Sequence, residues 1–266
     1  MSIDTSAVSP SPHPDVNAAL NAVLDGAREV LGEHFTGLIV HGSLASGDFD
    51  PARSDVDVLV VTADALPDEL LPRLAALHTR LAREYKWAGH MEVSYIPRRA
   101  LRRHAPPDVY HPALRIDGTF AVDGHGSEWV IQRWVIREKG IVMAGPDPRD
   151  LIAPVSPDEL RQAQLELLHA WWAPQLEDPF RIRDSEYQAY AVLTMCRALY
   201  TLEHGTIATK PAAARWAQQA LGPRWAALIG QAGQWRQGAT LDVFDEVLAF
   251  IRYTLERSRP SEPASE

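Results

Sequence analysis

The period of hydrophobic and polar positions along this chain changes near residue 154. Before that point, short β-branched runs are interspersed with helical spacings; beyond it, nearly every stretch repeats at helical period. Leu20, Val23, Leu24, Ala27, Val30 and Leu31 define a first helix over 18–31, with Gly32 placed to cap it. Leu38-Ile39-Val40 is a strand that breaks at Gly42-Ser43, and the run 56–61, Val-Asp-Val-Leu-Val-Val, is a second strand. Pro67-Asp68 opens a helix whose Leu70, Leu71, Leu74, Leu77, His78 and Leu81 share one face. Pro72 falls in its first turns, where proline is tolerated. His78 on that face reads as a partly buried histidine rather than a ligand. Residues 90–96 form a third strand, halted by Pro97. Its alternation puts Glu92, Ser94 and Ile96 on one face and Met91, Val93 and Tyr95 on the other.

The arginine-rich stretch 98–103 reads as a solvated helix or loop start, with a phosphate or partner contact as the alternative. Residues 106–126 are rich in Pro, His and Gly with little periodicity, and are expected to be a long connection without its own regular structure, of a kind that is often functional or mobile. A helix over 128–137 and a short strand over 140–146 follow. Ser156-Pro157-Asp158-Glu159 is a helix start, and candidate helices then fall at 157–172, 184–204, 210–220, 223–236 and 240–257. The expected organisation is a flexible arm (1–15), an α/β domain (16–153), an α-helical domain (154–257) and a disordered tail (258–266), an α/β + α fold class.

Composition narrows the function classes. With 46% apolar residues in 266 there is ample material for buried cores. The formal charge of −9 argues against a broad duplex-binding surface and templated polymerase chemistry, and suits small cationic acceptors. Cys196 is the single cysteine, so no intrachain disulfide forms. No run has the length of a membrane span and the N-terminus lacks a basic and apolar leader pattern. These features lead to the expectation of a cytoplasmic protein.

The chemistry concentrates in residues 38–62. Asp55 and Asp57 are two apart at the start of the second strand, and side chains at that spacing point to one face. Two carboxylates side by side repel, and a divalent metal removes that cost. Gly42 lets backbone come close to a phosphate, while Ser43 offers a hydroxyl and an N–H at a short helical turn. A phosphate cradle followed by an Asp-x-Asp pair describes a site for a metal-chelated nucleotide.

Gly42-Ser43, the spacer 44–54 and Asp55-Val56-Asp57, set between two apolar strands, resemble the signature of the nucleotidyltransferase superfamily, the DNA polymerase β-like fold. With the helical second half, nearly the whole chain resembles the aminoglycoside nucleotidyltransferases that adenylylate streptomycin and spectinomycin. The match includes Ala144-Gly145-Pro146, the stretch Val192-Leu193-Thr194-Met195-Cys196-Arg197, and Gly205 to Lys210. The resemblance implies a small mixed sheet flanked by helices, followed by an α-helical bundle. It implies that Glu92 joins Asp55 and Asp57 as the third acid, serving as general base, as a ligand of Mg²⁺, or both. It further implies ATP as cosubstrate, with Gly42, Ser43, Ser54, Arg197 and Lys210 contacting the nucleotide and Trp235-Arg236 near it.

Alternatives stand beside these assignments. Arg197, on a helix apolar nearly all round, could pair with Glu186 or Glu203, and Lys210 could be a plain helix-start lysine. Trp171-Trp172 reads as packing and Cys196 as a small buried hydrophobe. A departure is also evident: the resembling enzymes use an acid at the start of the central bundle helix to bind the cationic drug, and here that position aligns with Tyr187, near Asp184 and Glu186. The expected function is AMP transfer from Mg-ATP to a hydroxyl of a small, aminoglycoside-type acceptor, by a monomer that binds neither nucleic acid nor membrane. The competing readings are a nucleotidyltransferase for another metabolite or a protein, and a non-catalytic nucleotide-binding regulatory module.

Overall fold

A computed structural model describes residues 9–105 and 109–258. The chain divides into two compact units, Met1–Pro154 and Val155–Glu266. In the first, α1 (Pro14–Leu31) leads into β1 (Phe35–Val40), the short α2 (Gly42–Ser46) and β2 (Val56–Thr62). Then come α3 (Leu71–Glu84), β3 (Met91–Pro97), α4 (Arg98–Leu101), β4 (Tyr110–Leu114), β5 (Phe120–Gly124), α5 (Glu128–Lys139), β6 (Ile141–Ala144) and α6 (Pro148–Leu151). The helix α1 starts at Pro14, so Pro14 and Asp15 are helical rather than part of the expected arm; positions 1–8 of that arm and 259–266 of the expected tail lie outside the described residues.

The strands form one mixed sheet in the order β5-β4-β3-β2-β1-β6, in which β2 and β3 run parallel and the other neighbours antiparallel. Alternation along the strands produces two apolar faces. Leu38, Val40, Val56, Val58, Val60, Met91, Val93 and Tyr95 pack with Leu20, Val23 and Leu24 of α1 and Leu74, Leu77 and Leu81 of α3. Ile39, Leu59, Val61 and Ile96 pack on the other side with Ala100, Leu101, Trp129, Ile136 and Leu151. Asp57 and Glu92 belong by alternation to this second face, at its edge. His78 lies in the first core, its Nε2 2.7 Å from the Tyr95 hydroxyl, and burial lowers its pKa to about 4, so it is a neutral core histidine. Arg98, Arg99, Arg102 and Arg103 are exposed around the buried Ala100 and Leu101, the solvated reading of that stretch.

Residues 106–126 depart from expectation. Instead of a connection lacking regular structure, residues 110–124 form the β4–β5 hairpin. Pro112 obscures the strand, yet β4 meets β3 only through Val93↔Leu114 and Ser94↔Ala113, so the proline sits where β4 pairs with β5 alone.

In the second unit, α8 (Ser185–His204) is central and packs with α7 (Pro157–Leu167), α9 (Lys210–Ala220), α10 (Pro223–Gln234) and α11 (Phe244–Arg257). Val192, Met195, Cys196 and Leu199 meet Ala213, Ala217, Leu228, Ile229, Val247, Phe250 and Ile251 in its core. A capping box between Ser156 and Glu159 starts α7, Asp184 caps α8, and Gly205, at φ 62°, ends α8. The helix expected over 157–172 is α-helical only to Leu167. The last turn, Leu168–Trp172, widens to i→i+5 hydrogen bonding before Pro174, with Ala173 N–H donating to Leu168 O at 2.9 Å. Trp172 is core, but Trp171 is 46% exposed beneath the Arg181 guanidinium, which corrects the packing reading for that residue. No described helix is long and apolar enough to cross a membrane.

Candidate active site

The site is assembled where β1 ends and the parallel strands β2 and β3 begin. At the end of β1 the His41 N–H donates to Asp57 O at 3.0 Å, tying the turn to β2. Gly42 follows at φ 62°, and a Cβ there would overlap the Asp57 carboxylate. Glycine is needed for two reasons: the left-handed backbone and the room it leaves for Asp57. Gly42→Ala is therefore expected to displace Asp57, lowering turnover by at least about 10²-fold and also lowering the melting temperature. Steady-state kinetics and a thermal melt check both effects; wild-type values in each would refute the packing role.

Ser43 places its Oγ in an enclosed position with no hydrogen-bond partner among the described residues. An enclosed hydroxyl without a partner is costly unless something else uses it. His41 Nδ1 is in the same condition, and burial lowers the His41 pKa to about 4, so this ring is neutral. The loop after α2 is held by its own bonds. Asp50 N–H donates to Ser54 Oγ at 3.0 Å, Ser54 N–H donates to Asp50 O at 2.8 Å, and the Asp50 carboxylate accepts from Ala52 N–H and Arg53 Nε. Ser54 thus shapes the loop that delivers Asp55 to the foot of β2.

Parallel pairing of β2 and β3 sets Asp57 directly beside Glu92. Asp55, Asp57 and Glu92 each bring a carboxylate oxygen within 4.8 Å of the others. Glu92 keeps access to solvent, yet protein atoms crowding its carboxyl group raise its pKa, and the Asp55 charge raises it further; the nearby Ile116 backbone opposes this and the Asp123 charge adds to it. Three carboxylates are hard oxygen donors of the kind Mg²⁺ takes, and a divalent cation would offset their mutual repulsion, so the residues fit that ion.

The second unit holds the other sequence-predicted residues. Arg197 is half-buried on α8, and Lys210, at the start of α9, has Nζ 5.6 Å above the Tyr190 ring. Asp184 spends its carboxylate on the α8 cap, accepting from Tyr187 N–H at 2.9 Å, while the Tyr187 hydroxyl is enclosed without a partner among the described residues. Trp235 is buried, with Nε1 donating to Ala239 O at 2.9 Å.

Residues 24–108 match the family model described as "Nucleotidyltransferase domain", and residues 150–257 match "Aminoglycoside adenylyltransferase, C-terminal domain". Over those two stretches the chain is a nucleotidyltransferase domain followed by the C-terminal domain of the aminoglycoside adenylyltransferases. Among curated relatives, the spectinomycin 9-adenylyltransferases of Staphylococcus aureus strains Mu50 and N315 are each 25% identical over 241 residues, covering 85% of this chain and 88% of theirs. Among solved structures, spectinomycin adenyltransferase AAD(9) from Enterococcus faecialis, with ATP and spectinomycin, matches with a TM-score of 0.73 and 20% identity. That match covers 91% of this chain and 98% of the other and shows a common fold. This nucleotidyltransferase thus has the two-part architecture of the aminoglycoside adenylyltransferases.

Sequence reasoning missed the hairpin that borders Glu92. A signal was available in Asp117-Gly118, a dipeptide favoured in hairpin loops, lying between Leu114 and Phe120. Pro112 and the histidines around it hid the alternation on either side.

Proposed function

We propose that the protein transfers the AMP group of ATP to a hydroxyl of a small aminoglycoside-type acceptor. The observation that carries this reading is the meeting of Asp55, Asp57 and Glu92 beside the Gly42-Ser43 turn. Asp55 and Asp57, with Glu92, would hold Mg²⁺, which when bound neutralises phosphate charge. Gly42 and Ser43 cradle the outgoing pyrophosphate, the Ser43 Oγ supplying a donor that has no partner within the described protein. Glu92 accepts the proton of the acceptor hydroxyl as its oxygen bonds the α-phosphorus and the bond to the β-phosphate bridge oxygen breaks. Ser54 contributes by holding Asp55 through its loop.

The acceptor class follows the relatives, named for spectinomycin adenylylation. Purified protein with ATP and Mg²⁺, offered spectinomycin and streptomycin in separate reactions, should release pyrophosphate and yield an adenylylated product by mass. Acceptor-independent background across an aminoglycoside panel would overturn the acceptor class. A second reading, a less cationic metabolite as acceptor, is favoured by one observation. Tyr187 stands where the resembling enzymes carry an acid, and nearby Asp184 is engaged as a helix cap. A metabolite-like acceptor accepted in place of the aminoglycosides would select it.

Arg197 and Lys210 belong to the same proposal as nucleotide contacts. Lys210→Ala should weaken Mg-ATP binding about 10- to 100-fold, the range of a lost charge-assisted hydrogen bond, while acceptor affinity is retained. Calorimetry giving wild-type ATP affinity would remove Lys210 from the site.

A further inference from the structure

The sheet fixes two of the three acids and leaves the third to a loop. Asp57 and Glu92 face each other in the β2–β3 ladder, whose first pair is Val56↔Met91, so Asp55 falls one residue short of it. The place of the Asp55 carboxylate therefore depends on residues 47–54, which deliver it. The bonds between Asp50 and Ser54 close on this loop itself, and Asp48 N–H donates back to Ser43 O at 3.2 Å. Bonds internal to a loop set its shape and leave its place on the molecule to other contacts.

Phe49 supplies such contacts. Its ring, partly buried, packs on the first core and lies between two others, 5.3 Å from the His13 ring and 5.4 Å from the Trp87 ring. Both neighbours are themselves held. Trp87 is buried in the 3₁₀ turn Lys86–His90, which leads directly into β3 and Glu92, and its ring lies 5.8 Å from that of His90. His13 immediately precedes α1; its N–H donates to Ser11 Oγ at 3.1 Å and its carbonyl accepts from Asn17 N–H at 3.0 Å. Ser11 Oγ donates to Asn17 Oδ1 at 2.9 Å and Asn17 Nδ2 to Ser11 O at 2.8 Å, so residues 11–13 of the expected arm are bonded to the first turn of α1. The row His13, Phe49, Trp87 and His90 joins three segments far apart in sequence: the chain before α1, the loop that carries Asp55, and the turn that leads to Glu92.

We propose that Phe49 is a positioning residue: seated between His13 and Trp87, it fixes the 47–55 loop against the turn before β3 and so keeps the Asp55 carboxylate beside those of Asp57 and Glu92. It acts through Asp55 rather than on the reacting atoms. The inference rests on the reading of Asp55 as a ligand of the divalent cation, and the test separates the two. A displaced loop weakens the cation site while the ladder keeps Asp57 and Glu92 together.

With ATP and the acceptor found active, Phe49→Ala should raise the Mg²⁺ concentration for half-maximal turnover about 10- to 100-fold, the range for loss of a group that orients a metal ligand. At saturating Mg²⁺ its kcat should return to within about 3-fold of wild type, a split that general destabilisation does not produce. Phe49→Tyr keeps the ring and should stay near wild type. An unchanged Mg²⁺ requirement in Phe49→Ala overturns the inference, provided Asp55→Asn is impaired; wild-type turnover in Asp55→Asn overturns the functional reading instead. Should Phe49→Ala melt early, Phe49→Leu replaces it, because leucine keeps apolar volume on the core and loses both ring contacts; the same rise is expected and the same result overturns. A readout independent of turnover is trypsin cleavage of the metal-free protein after Arg53, an exposed residue of the loop. Cleavage there should be at least about 10-fold faster in Phe49→Ala than in wild type, while cleavage within the exposed arginines of 98–103 is unchanged. Equal rates at Arg53, or a matching rise at both stretches, would overturn the inference.

Discussion

Asp57→Asn should reduce Mg-ATP-dependent turnover to background while leaving the fold intact. Asp57 is tied into the site at three points. Its carboxylate fills the space left by Gly42, its backbone carbonyl accepts the His41 N–H, and its neighbour across the parallel ladder is Glu92. Asparagine has the same shape and fits the same space, so packing survives; what is lost is the anionic charge needed for a divalent cation at a site built from carboxylates. Removing one of three clustered negative charges also relieves repulsion in the metal-free protein, so the melting temperature should hold or rise slightly. Kinetics with ATP, Mg²⁺ and acceptor, together with a thermal melt, check both halves. Turnover at the wild-type rate in Asp57→Asn would remove this residue from the reaction.

Glu92→Gln should lower kcat by roughly 10²- to 10⁴-fold, the range for loss of a general base. Glutamine keeps the size and shape of glutamate and can still accept hydrogen bonds through its amide oxygen, so the loss should reflect chemistry rather than position. The variant also separates two roles. If Glu92 serves as the base, Mg-ATP affinity is retained; if it serves mainly to hold the cation, that affinity falls along with kcat. Calorimetry beside steady-state kinetics reads both, and a wild-type kcat would leave the site without its third acid in either role.

The acid pair and the glycine turn were legible because their geometry is local. Asp55 and Asp57 share a face through the two-residue period of a strand, and Gly42-Ser43 interrupts an apolar run where only a turn fits. The same local logic located α8 and α9 closely, with Asp184 and Thr209 capping their starts. Glu92 was legible only in part. Alternation on β3 put it on the same face as Ser94 and Ile96, but its position beside Asp57 depends on a parallel pairing between strands separated by α3, and resemblance to a family supplied that expectation. Ser54 shows a related limit. Resemblance implied a nucleotide contact for it, and only the fold shows that its hydroxyl oxygen also accepts the Asp50 N–H.

What the sequence by itself determined is the division into an α/β half and a helical half, the β1-turn-β2 segment, and the two aspartates on one face. These follow from backbone periods and from the special conformations open to glycine, which act over a few neighbouring residues. The tertiary structure alone decided the Asp57↔Glu92 register, the enclosure of the Ser43 hydroxyl, and the folding of residues 110–124 as a hairpin despite Pro112. Each of these joins residues distant in the chain or in different elements. Their stability comes from sheet pairing and burial summed over many side chains, so no short stretch of sequence carries the signal.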